Sequence, residues 1–83
     1  MSDLEMLKQA IEMAMGKVSH LTKLSGSNII LGKLETGETF DLNPPFTTIK
    51  EQETELFFHI SPNWYQAKFI GEELISSTSL KEH

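Results

Sequence analysis

The sequence predicts an α+β fold in which an N-terminal amphipathic helix is followed by a four- to five-stranded antiparallel meander, all within one domain spanning 1–83. Three observations carry this prediction. Near the N-terminus, apolar residues recur at alternating spacings of three and four. Beyond them the period drops to two, and clusters of Gly, Pro, Asn and Ser punctuate the chain at hairpin intervals. With 83 residues the chain has room for a single core. A chain of this size buries roughly 60% of the surface that its unfolded form exposes, so association into a homodimer or higher oligomer is expected.

The helix is predicted over about 3–24. Leu4, Leu7, Ile11, Ala14, Val18 and Leu21 fall on one stripe, which must bury itself against the sheet. Ser2 or Asp3 can serve as N-cap, Glu5 complements the helix dipole, Lys23 sits near the other end, and Ser25-Gly26-Ser27 stops the helix. Gly16 lies on the polar side, where an interior glycine costs about 1 kcal/mol without breaking the seam. Met6, Ala10 and Met13 form a second, smaller apolar strip, and this is the expected oligomer contact because methionine adapts to irregular surfaces.

A first hairpin is predicted over about 28–43, with strands from Ile29 and Thr39 joined by Glu35-Thr36-Gly37-Glu38. A three-residue bulged loop, with Gly37 at positive φ, sets Ile30 against Leu42 and Gly32 against Phe40. A two-residue Thr-Gly loop instead pairs Leu31 with Leu42, and local sequence permits both. Asn43-Pro44-Pro45 ends the second strand because proline donates nothing to a ladder. The segment from there to about Thr54 reads as a loop with room for one helical turn.

A second hairpin is predicted over about 54–70 around Ser61-Pro62-Asn63-Trp64. Pairing Ser61 with Trp64 places Ile60 opposite Tyr65, Phe58 opposite Ala67 and Leu56 opposite Phe69, so all of these apolar side chains share the core face. After Gly71 a last strand over about 73–80 is favoured by its serines and Thr78.

Composition narrows the function. The chain has no cysteine, which excludes disulfides, thiolate metal sites and thiol nucleophiles. Twelve acidic residues against seven bases give a net charge of −5. Every base is lysine, and the absence of arginine removes the bidentate fork on which phosphate and guanine recognition leans, so nucleic acid is a disfavoured partner. The acidic opening lacks the basic start and apolar run of a signal peptide, and no run approaches a membrane span; a cytoplasmic protein is expected. His20, His59 and His83 share no metal-ligand spacing, no glycine run matches a phosphate loop, and no cofactor or metal is expected. His59 with Glu55 or Asp41 could form an acid-base pair, but without a pocket this does not make an enzyme, and a non-catalytic role is expected.

Two constellations remain as candidate sites. The outer face of the second hairpin carries Phe57, His59, Trp64, Gln66 and Lys68, with large apolar groups inside a polar surround, which is the composition of a partner-binding surface. The same face could instead be covered by the rest of the chain, or could stack single-stranded bases. Glu51, Glu53 and Glu55 alternate, aligning carboxylates that either meet a basic partner or guard a sheet edge. The run Ile30-Leu31-Gly32-Lys33-Leu34-Glu35-Thr36-Gly37, following a helix, resembles the opening of Sm-like RNA-binding rings. That resemblance implies a small β-barrel binding nucleic acid or a nucleotide. It covers one hairpin, and Asn43-Pro44-Pro45 stops the strand that the family continues. The favoured reading is a small acidic interaction protein, such as an inhibitor, adaptor or accessory subunit, that acts as an oligomer on a protein partner with a basic or apolar patch.

Overall fold

A computed structural model describes residues 3–80, so Ser2 and His83, named above as a cap and a titratable group, lie outside the described residues. The helix α1 (Asp3–Met15) is followed by β1 (Val18–Lys23), β2 (Ile30–Leu34), β3 (Thr39–Leu42), β4 (Phe46–Lys50), β5 (Glu53–Ile60), β6 (Asn63–Ile70) and β7 (Glu73–Leu80). All strand pairs are antiparallel and sequential, as expected of a meander. Their number is larger than expected, and they split into two sheets of order β1-β2-β3 and β4-β5-β6-β7. Neither sheet closes into a barrel, since each keeps two free edges among the described residues.

The helix is shorter than its periodicity suggests. It ends at Gly16, whose φ of 127° is open to glycine and unfavourable for other residues. Gly16 N–H donates to the Glu12 carbonyl at 3.1 Å. The Glu12 carboxylate then reaches past the turn to accept from Val18 N–H at 3.0 Å, tying the helix end to the start of β1. Val18 and Leu21 keep their inward orientation as strand residues, which is why the stripe continues across the break. His20 accordingly lies exposed on β1, and Ser25-Gly26-Ser27 belongs to the β1–β2 hairpin loop, where Leu24 N–H bonds the Ile29 carbonyl at 2.9 Å. Replacing Gly16 with alanine should therefore destabilise the fold by about 1–3 kcal/mol, the range for a side chain forced into such a backbone region. Urea titration reads this directly, and an unchanged midpoint would contradict the assigned turn.

In the first hairpin Ile30 pairs with Leu42 and Gly32 with Phe40, the register of the three-residue loop. Leu34 N–H donates to the Glu38 carbonyl at 2.8 Å, and Gly37 takes a φ of 99°. The Phe40 ring lies over Gly32 in the space that a side chain there would fill, a known way of covering a strand glycine. The segment after Pro45 is a strand rather than a loop. Phe46 to Lys50 pairs with Phe57 to Glu53, and the chain reverses through Glu51, at φ 58°, and Gln52.

The second hairpin turns one residue earlier than expected, through Ser61 and Pro62, which are joined by a cis peptide bond. Ile60 consequently pairs with Asn63, Phe58 with Tyr65 and Leu56 with Ala67. This register differs from the expected one by two residues. A slip of two preserves the pleat, so the same side chains still share the core face. Phe58 and Tyr65 stack there with ring centroids 5.2 Å apart.

The core lies between the two sheets and the helix. Leu7, Ala10 and Ile11 meet Val18, Ile30, Leu34 and Leu42 from one sheet and Leu56, Phe58, Ile60, Tyr65, Ala67 and Phe69 from the other. α1 is docked against β7, where the Ser77 hydroxyl donates to the Ala10 carbonyl at 2.6 Å. This contact alters the expected helix faces. Ala10 is fully buried and Met6 packs half-buried against the core, so Met13 alone of the expected second strip is exposed.

Candidate interaction surface

The helix covers the face of the larger sheet that carries Leu56, Phe58, Ala67 and Ser77. The alternation of the strands therefore sends Phe57, His59, Trp64, Gln66 and Lys68 to the opposite side, and this arrangement excludes the alternative that the helix packs over Trp64. His59 is exposed, Trp64 is 43% exposed, and Phe57, Gln66 and Lys68 are half-buried.

Strand β4 adds a residue from the segment expected to be a loop. Phe46 pairs with Phe57, and its side chain lies on the same outer face. Its ring is 68% exposed and stacks on Trp64 with centroids 6.3 Å apart and planes 23° from parallel. His59 lies against the indole at 5.0 Å, tilted by 46°. Leu80, 42% exposed, is the strand partner of Trp64 on the far side. Phe46, Phe57, Trp64 and Leu80 with His59 thus make one apolar and aromatic patch on the sheet. The sequence signal for this strand is the aromatic and β-branched run Phe46-Thr47-Thr48-Ile49.

Beyond this patch the outer face becomes polar. Gln66 donates through Nε2 to the Glu55 carboxylate. Glu55 is paired with Lys68, and Glu53 is paired with Lys50 on one side and Ile70 on the other. Opposite charges thus face each other across the strands, an arrangement that favours the sheet. β5 is an interior strand, so Glu53 and Glu55 guard no edge, and Glu51 sits apart from them in the turn. Asp41 lies exposed on β3 of the other sheet.

On the core side, an apolar groove of about 310 Å³ runs between the first turn of α1 and β4. Leu4, Met6, Ile30, Pro44, Ile49 and Leu56 line it, with Asp3 and Lys23 at its rim. Thr47 and Thr54 add two hydroxyls to this otherwise mainly apolar lining. Among the described residues no group of His, Asp or Glu could hold a metal ion, and no helix is long and apolar enough to cross a membrane. Comparison of the chain with known protein families, curated proteins and solved structures finds no match.

Proposed function

We propose that this chain is a small acidic, non-catalytic interaction protein, an inhibitor, adaptor or accessory subunit, that receives a protein partner on the outer face of β5 and β6. The observation that carries this reading is the Phe46–Trp64 stack, two large rings 68% and 43% exposed on one face of the sheet. Exposed aromatic clusters of this kind, with polar groups around them, are typical anchors of protein interfaces. Phe57 and Leu80 extend the apolar centre, while His59, Gln66 and Lys68 form its surround. The net charge of −5 favours a partner whose apolar contact is bordered by basic groups.

A second reading follows from the same rings. His59, Trp64 and Phe46 could stack the bases of a single strand, with Lys50 and Lys68 near its phosphates. The acidic balance and the lack of arginine weigh against it.

Trp64 is the single tryptophan, so it reports on its own surface. In the free protein its emission should be quenched readily by acrylamide, and Trp64→Ala should leave the far-UV spectrum and the urea midpoint nearly unchanged. In pull-downs from native lysate, Trp64→Ala should weaken capture of the partner by more than about 2 kcal/mol, roughly 30-fold, as expected for a hot spot. Raising salt should weaken that capture only modestly, through screening of the bordering charges; a steep log-linear loss with salt would transfer the surface to nucleic acid. Unfolding of Trp64→Ala, or an indole inaccessible to quencher in the free chain, would remove the proposal.

A further inference from the structure

Four strand edges are open among the described residues, and three of them are blunted in the ways proteins ordinarily use. β1 carries a bulge between Val18 and His20 and ends in Lys23. β3 has four residues, one of them Asp41. β7 is bulged opposite Lys68 and Phe69, and the helix is bonded over it through Ser77. β4 is the least protected, having neither a bulge nor a covering element. It pairs with β5 without a bulge, all five of its residues are exposed, and its single charge is Lys50 at the end. It also carries the two most exposed large apolar residues among those described, Ile49 at 72% and Phe46 at 68%, which lie on opposite faces of the sheet.

We propose that β4 is a homodimerisation edge, at which two copies of this chain join antiparallel about a two-fold axis at Thr48. The occupant follows from the self-complementarity of the strand. Centred on Thr48 the ladder is complete and opposes no like charges: Thr48 meets Thr48, Thr47 meets Ile49, and Phe46 meets Lys50. Sliding the centre to Lys50 would instead set two lysines directly opposite, which is unfavourable. In the Thr48 register the two lysines stand roughly 13 Å apart along the ladder. Each lies beside the other copy's Phe46 ring, where an ammonium is attracted. On the core side, Ile49 of the second copy comes beside Thr47 at the mouth of the apolar groove that both residues line. Pro45 before the strand and the Glu51-Gln52 turn after it bound the ladder to these five residues.

The result is a single eight-stranded sheet. A two-fold axis perpendicular to a sheet keeps equivalent faces on one side, so the two aromatic patches built around Trp64 face the same way. The dimer therefore offers a partner two equivalent sites on one surface, and a two-headed partner would gain avidity without any new contact. The interface itself does not depend on the partner reading above.

The absence of cysteine makes the register testable in the full chain. Light scattering should give twice the 9.4 kDa chain mass. Ile49→Lys should reduce it to the monomer mass with an unchanged far-UV spectrum, since that side chain is exposed and a charge on an edge opposes pairing. Directly opposed residues in an antiparallel pair have Cα atoms about 4.5–5.5 Å apart, inside the disulfide range. Thr48→Cys should therefore convert to a covalent dimer on mild oxidation, whereas Thr78→Cys on β7 should not. Three results would each overturn the proposal: a wild-type monomer at the highest attainable concentration, a dimer indifferent to Ile49→Lys, or cross-linking no better from Thr48→Cys than from Thr78→Cys. A wild-type monomer would leave the Trp64 surface standing, because Trp64 lies two strands away from this edge.

Discussion

Phe58→Ala should destabilise the fold by about 3–5 kcal/mol, while Phe57→Ala, one residue earlier, should cost far less. Phe58 is 1% exposed, belongs to the largest fully buried side chains, and stacks on Tyr65 in the centre of the core. Its removal deletes the transfer free energy of a whole ring and leaves a void between the two sheets that the surrounding strands can only partly close. Domains of this length are stable by roughly 4–12 kcal/mol, so the loss is a large fraction of the total. The melting temperature should fall by at least about 12 °C. Phe57 points to the other side of the sheet beside Phe46, where truncation exposes little that was dry. Because neighbouring strand residues point to opposite faces whatever the register, the comparison tests the face assignment alone. Equal melting points for the two variants would show that assignment to be wrong.

The helix supplies the second large effect. Ile11→Ala should cost about 2–5 kcal/mol, since Ile11 has no exposed surface and belongs to the buried core with Leu7, Val18 and the inner side chains of both sheets. Met13→Ala should stay within about 0.5 kcal/mol, because Met13 is 53% exposed and touches no special feature of the fold. With self-association assigned to β4, Met13→Ala should also leave the oligomeric mass unchanged. Guanidinium titrations at several protein concentrations separate the two contributions. A Met13→Ala loss as large as that of Ile11→Ala would place this side chain in the core or in a subunit contact, and the helix would have to be rotated about its axis.

Local chemistry is sufficient for the elements that carry their own pattern. Leu4, Leu7 and Ile11 define the helix face, and the alternation from Leu56 to Phe69 divides core from outer face. That division survives a two-residue difference in register because side-chain direction along a strand depends on parity alone. The outer position of Phe57, His59, Trp64, Gln66 and Lys68 is therefore legible in the order of residues itself.

Tertiary contacts decided the rest, and each case has a specific cause. Val18 and Leu21 continue the helical spacing by coincidence, since the bulge between Val18 and His20 in β1 turns both toward the core; the end of the helix depends on the Gly16 turn and on Glu12 reaching Val18. Strand β4 is exposed at every residue, so no burial pattern marks it, and it exists because the Glu51-Gln52 turn folds it onto β5. Phe46 could not be joined to Trp64 from sequence for the same reason, as the two meet only through their separate pairings with Phe57 and His59. Ala10 belongs to the core rather than to an exposed strip because Ser77, far along the chain, bonds its carbonyl and draws β7 against the helix. Sequence thus determined which side of the second hairpin and which main stripe of the helix is apolar, a property of neighbouring residues. Which elements lie beside one another, and so which aromatic rings form a surface and which edge is left open, was decided by contacts between residues distant in the chain.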